Sequence, residues 1–167
     1  RHIRPTFSHA TYVVQQGELE FARHTNERTR ASYLAHNFEP IATANRWRLI
    51  EGDTEVLPGI SVRLTPGHVP FHQVVIIRDS GETAVFVGDL FPTTAHLPLP
   101  WIMGYDLEPL RTLESKRALL GQALADGWRL IFEHDPRVAL GRPALEGKTV
   151  VLHDVTTAPE PPTPASR

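Results

Sequence analysis

Three short segments of this 167-residue sequence hold side chains able to do chemistry. Residues 65–73 read TPGHVPFHQ, residues 87–90 read VGDL and residues 132–136 read FEHDP. Each follows an apolar, strand-like run and puts an ionisable group, His68, Asp89 or His134, just past its end. Pro66 and Gly67 force a tight turn that presents His68 at a loop tip, while Gly88 allows close backbone approach beside Asp89. Imidazole nitrogen and carboxylate oxygen both bind zinc at about 2.0–2.2 Å, so ligands distant in sequence can meet at one sheet edge. Taken singly, each residue also reads as an ordinary turn or capping group, and the metal reading requires all three to converge. His72, four residues after His68, reads as a buried residue that orients the turn. His2, His9, His24, His36 and His153 lie in polar or mixed contexts and read as surface residues.

Composition narrows the alternatives. Lysine and arginine total 17 against 19 acidic residues, a formal charge of -2 that offers no basic footprint for nucleic acid or an anionic membrane. The chain has no cysteine, which removes disulfides, thiolate metal sites and cysteine nucleophiles together, and leaves its nine histidines as the conspicuous metal-binding resource. No apolar run approaches the roughly 20 residues that a membrane-spanning helix needs. A cytoplasmic location is expected, since no leader is visible, although the sequence starts at Arg1 and an upstream segment is expected to exist.

Those side chains need elements to position them. Residues 11–14 (TYVV) suit a short strand and residues 18–24 a helical turn. From Trp47 the texture becomes a strand meander: WRLI, TEVL, ISVRLT, then QVVIIR and TAVFV joined by a Gly81 turn. Leu110, Leu113, Leu120 and Leu124 then fall at helical spacing, which predicts an amphipathic helix over 112–126 with Thr112 as N-cap and Gly127 as stop. WRLIF at 128–132 reads as a buried strand and TVVL at 149–152 as a last one. Strands, a helix, then strands indicate mixed α/β architecture in one domain over 1–155. Residues 156–167 (TTAPEPPTPASR) read as a disordered, proline-rich tail.

TPGHVPFHQ resembles the TPGHTPGH motif of the metallo-β-lactamase superfamily, GDL its aspartate-bearing strand end and EHDP its final histidine. The three stand in the family's order, and EGDTEVLPGISVRLTPGH (residues 51–68) resembles its lactonase-like metallohydrolases. The resemblance implies a four-layer αββα sandwich, of which this chain forms mainly the later part, around a dinuclear centre of two zinc ions. It implies His68 as ligand of the first ion, Asp89 as the bridging carboxylate and a participant in proton transfer, and His134 as ligand of the second. The family's HxHxDH string occurs nowhere in the chain, so this sequence is expected to be the latter part of a larger domain.

The expected function is therefore hydrolysis of a lactone, ester or related small molecule, with that substrate as the partner and a homodimer left open. Phe91, His96, Trp101 and Tyr105, in the apolar loop after Asp89, are the expected lining of its pocket, with packing under the loop as the other reading. Pro92 stands where some lactonases of the family carry tyrosine. The alternative is a non-catalytic binding or scaffold member that has lost the metal site, and a di-iron oxidoreductase ranks third.

Overall fold

The computed structural model describes residues 3–159. Its elements in order are β1 (Tyr12–Gln15), α1 (Gln16–Arg23), α2 (Ala35–Thr43), β2 (Trp47–Ile50), β3 (Thr54–Leu57), β4 (Ile60–Leu64), β5 (Gln73–Asp79), β6 (Glu82–Phe86), α3 (Pro109–Asp126), β7 (Arg129–Ile131), β8 (Val138–Glu146) and β9 (Thr149–Thr157). β3 to β9 form one seven-stranded sheet in sequence order, while β1 and β2 pair in parallel as a small second sheet. The mixed α/β class expected from the sequence is the class observed.

Period-two alternation explains the large sheet. Val74, Ile76, Val85 and Leu130 point to one face, where Leu119, Leu120 and Ala123 of α3 close over them, all at 4% exposure or less. Each leucine or isoleucine taken out of water there is worth about 2 kcal/mol. Ile77, Val75, Phe86 and Ile131 share the opposite face through the pairs Val75↔Phe86, Ile77↔Ala84 and Phe86↔Ile131. They are less covered, Ile77 being 39% exposed. In an αββα sandwich this is the face against which the other sheet packs.

Strand direction positions the site. β4 and β6 both run antiparallel to β5, and β7 runs parallel to β6 after the crossover through α3. The C-terminal ends of β4, β6 and β7 therefore lie along one edge of the sheet. His68, Asp89 and His134 each follow one of those ends by three or four residues.

Some boundaries differ from the sequence reading. α3 begins at Pro109, whose ring sits in the first turn where a backbone N–H has no partner to lose, so Thr112 lies inside the helix rather than capping it. Gly127 does stop the helix, at φ 67°. Thr156 and Thr157, expected to start a disordered tail, instead extend β9, and Ala158 N–H donates to the Arg137 carbonyl. The ladder to β8 supplies backbone partners that composition does not show. Residues 160–167 and His2 lie outside the described residues.

Candidate functional site

His68 stands on the TPGH turn, where a backbone constraint comes first. Gly67 has φ 144°, and a Cβ there would lie 2.3 Å from the backbone nitrogen of Thr112 on α3. The turn is thus pressed onto the helix as no other residue would allow. Leu107 N–H donates to the His68 carbonyl, Glu108 N–H to that of Gly67 and Ser115 Oγ to that of Pro66. His68 is then held by its ring: Nδ1 lies 2.9 Å from Asp106 Oδ1, a carboxylate 1% exposed. This hydrogen bond is the main reason the His68 pKa is raised, against the opposing pull of burial.

Asp89 sits in a 3₁₀ turn, Gly88–Leu90, that follows β6. His72 props it from beneath. Asp89 N–H donates to His72 Nε2 at 3.2 Å, so that ring carries its proton on Nδ1 and donates it to Thr65 Oγ1 at 2.8 Å. Burial foremost pushes the His72 pKa down to about 4, so the imidazole is neutral here at ordinary pH, as an acceptor must be. Gly88, at φ 49°, leaves the space this requires, since a Cβ would lie 3.0 Å from His72 Nε2.

His134 N–H donates to the Pro92 carbonyl, joining the turn after β7 to the loop after Asp89. The next residue fastens the same junction. One oxygen of Asp135 accepts from Thr94 N–H and Oγ–H, the other from the N–H groups of Arg137 and Val138. Burial, the largest single influence, pushes the Asp135 pKa up, but those four bonds together hold it well below the usual carboxylate range.

The three expected residues do converge. His68 Nε2 is 3.4 Å from Asp89 Oδ2, and His134 Nε2 is 3.3 Å from Asp89 Oδ1. Each histidine faces a different oxygen of one carboxylate. Donors about 2.0–2.1 Å from a tetrahedral ion lie about 3.3 Å apart, so each pair has the separation of one edge of a zinc coordination sphere. Two such edges meeting at one carboxylate suit a bridge between two ions. Among the described residues, however, no group of three or more such side chains is placed to hold a metal ion. The donors fit a part of each sphere and complete neither.

A cavity of about 570 Å³ opens over these groups, lined by His68, Asp89 and His134 together with Arg28, Tyr33, Val69, Met103, Tyr105 and Leu107. Of the expected pocket residues, Tyr105 lines it. Phe91 is fully buried in the core beside Leu90, because the chain turns inward directly after the 3₁₀ turn. His96 is tied to Thr93 Oγ1 at 2.8 Å and is absent from the lining, as is Trp101, which is 64% exposed. His9, His24, His36 and His153 are exposed, as expected.

The opposite wall is built from residues that the sequence does not mark. Arg28 and Tyr33 come from the segment between α1 and α2, which has no periodic signal. Arg28 donates to the Gly104 carbonyl at 2.8 Å, joining that wall to the loop bearing Tyr105. The Tyr33 hydroxyl donates to Glu18 Oε1 at 2.5 Å, while Glu18 Oε2 is buried without a partner among the described residues. Burial raises the pKa of both groups. Asp106 announces itself only as an acidic residue just ahead of a helix that starts with proline.

Comparison with known proteins gives consistent results. Residues 2–134 match the family model described as metallo-beta-lactamase superfamily. An N-acyl homoserine lactonase of Bacillus thuringiensis is 33% identical over 81 residues, 48% of this chain and 29% of that protein. A probable metal-dependent hydrolase from Staphylococcus aureus superposes with a TM-score of 0.82 at 28% identity, over 91% of this chain and 55% of that one. An N-acyl homoserine lactone hydrolase, solved with N-hexanoyl-L-homoserine at its catalytic metal centre, superposes with a TM-score of 0.62 at 27% identity, over 77% and 48%. The chain spans about a quarter to a third of the length of the lactonase relatives and about half that of these solved structures.

Proposed function

The chain belongs to the metallo-β-lactamase superfamily, and on that premise we propose that it carries the later half of the active site of a zinc-dependent hydrolase acting on a lactone or ester. The observation that carries the proposal is Asp89, whose two oxygens separately face His68 and His134 at 3.4 and 3.3 Å. His68 with Asp89 Oδ2 would hold one ion and His134 with Asp89 Oδ1 the other, the remaining ligands coming from residues this sequence does not contain. Zinc held by these residues would supply a hydroxide at neutral pH and polarise the substrate carbonyl.

The chain's own residues supply orientation and containment. Asp106 fixes the His68 ring so that Nε2 faces the cavity, and His72 fixes the Asp89 backbone so that its carboxylate does too. Asp89 would take the proton that the attacking hydroxyl loses and pass it to the leaving oxygen. Val69, Met103 and Leu107 give the cavity apolar wall suited to an acyl chain, and Tyr105 and Arg28 place polar groups at its rim. Support for a lactone comes from the named relatives, while Pro92 departs from the tyrosine of some lactonases and widens the proposal to esters.

The protein expressed from its complete coding sequence should contain about two zinc equivalents per chain, and Asp89→Ala should lose both metal and activity towards N-acyl homoserine lactones and aryl esters. Full activity in a metal-free preparation would refute the proposal. The second reading, a non-catalytic member of the fold, rests on the absence of HxHxDH from the sequence. It requires that the coding sequence upstream of Arg1 also lack that string.

A further inference from the structure

Of the 17 basic residues in this chain only Lys116 and Lys148 are lysine, and Lys116 is 0% exposed. It lies on α3 with its Nζ donating to the carbonyls of Pro98, Leu99 and Trp101 at 2.9, 3.1 and 2.7 Å, and 5.3 Å from the Phe91 ring centroid. An ammonium has three donors and no acceptor, so the three carbonyls satisfy it completely. The planar fork of arginine cannot converge on three oxygens around one point, which explains a lysine here in a chain that otherwise uses arginine.

The position on the helix gives the contact its meaning. Ser115, the preceding residue, holds the Pro66 carbonyl at the root of the His68 turn, and Thr112, one turn earlier, is the surface on which Gly67 rests. The same stretch of α3 thus grips both the His68 turn and the 98–101 segment. That segment runs directly into Met103 and Tyr105, which line the cavity, and into Asp106, which holds His68.

We infer that Lys116 is a positioning residue for the cavity: its ammonium fixes residues 98–101 on α3 and so sets where Met103, Tyr105 and Asp106 stand relative to His68. The inference rests on the reading of that cavity as the substrate site. A buried charge bonded only to loop carbonyls adds little to the core, where Leu119, Leu120 and Ala123 already pack. Its effect is local to the loop.

The absence of cysteine from these 167 residues allows a clean test, run in the protein expressed from its complete coding sequence with any cysteine outside them replaced by serine. Lys116→Cys carries a single thiol that can be alkylated in the unfolded chain and refolded, either with 2-bromoethylamine, which rebuilds a lysine-length ammonium, or with iodoacetamide, which leaves a neutral group. Amide exchange is then compared between residues 97–107 and the sheet residues 74–87. In Lys116→Met and in the neutral adduct, the loop should exchange at least about tenfold faster while the sheet is unchanged, and the aminoethylated protein should return to the wild-type rate. Wild-type loop protection in the neutral adduct or in Lys116→Met, or equal acceleration of loop and sheet, would overturn the inference. With 4-nitrophenyl acetate as probe, Lys116→Met should raise KM and aminoethylation should restore it; an unchanged KM overturns the link to the cavity. Wild-type protein that fails to hydrolyse any ester or lactone counts against the function proposed above, and the exchange comparison still decides Lys116.

Discussion

The side chain of Asp106 lies almost wholly out of water, 1% exposed, with one oxygen 2.9 Å from His68 Nδ1. A carboxylate so placed fixes both the tautomer and the plane of the imidazole, and partners of this kind are worth about 10–100-fold in metal affinity. Asp106→Asn should therefore weaken zinc binding by about that factor in a chelator competition, with the fold retained; an unchanged affinity would remove Asp106 from the site. Asp135 acts on the other side through four accepted hydrogen bonds. Asp135→Ala should cost about 2 kcal/mol in urea unfolding. Of the side chains around the cavity, His68, Asp89 and His134 were legible because each closely follows an apolar strand and their three segments resemble, in order, the motifs of one family. Asp106 and Tyr33 were not, since their roles exist only through a partner far away in sequence, His68 for one and Glu18 for the other. Phe91 and His96 depart from the expectation because an apolar loop after an acidic strand end offers no way to tell a residue that turns away from one that lines a cavity.

At the level of elements, the TPGH turn and α3 behave as one piece. Gly67→Ala would drive a methyl group to 2.3 Å from Thr112 N and force a strained backbone, a loss of about 3 kcal/mol or more. The expected result is a lowered urea midpoint together with loss of metal uptake, and a midpoint within error of wild type would contradict the packing described. The strands of the meander were legible as short β-branched and apolar runs between turn residues, and α3 from its leucine spacing. β8 was not, because Gly141 and Pro143 interrupt its pattern; β7 pairs only with Leu140 and Gly141, so Pro143 pairs with β9 alone, on a stretch with one free side where a proline is tolerated. α2 was hidden in the same way by Pro40, which lies inside it. In both cases tertiary neighbours outweigh local propensity.

For the molecule as a whole, Lys116 sets a pH dependence of definite sign. Burial pushes its pKa down to about 8 from an ordinary 10.5, with Asp106 pulling it up and His96 feeling its charge in return. Between those values the unfolded chain binds more protons than the folded one, so stability rises as pH climbs from about 8 to about 10.5. The wild-type unfolding free energy should gain on that of Lys116→Met over this window, and parallel curves would refute the assignment. The charge therefore costs stability near neutrality, as a group kept for function does. No helix among the described residues is long and apolar enough to cross a membrane. The joint between Arg28 and Gly104, 76 residues apart in sequence, has a kinetic consequence. A contact between segments so distant in sequence has no local structure to hold it, so this wall is expected to open locally while the sheet stays folded. A protease at low dose should thus nick the arginine-rich stretch between α1 and α2 first, and leave the seven-stranded sheet as a resistant fragment.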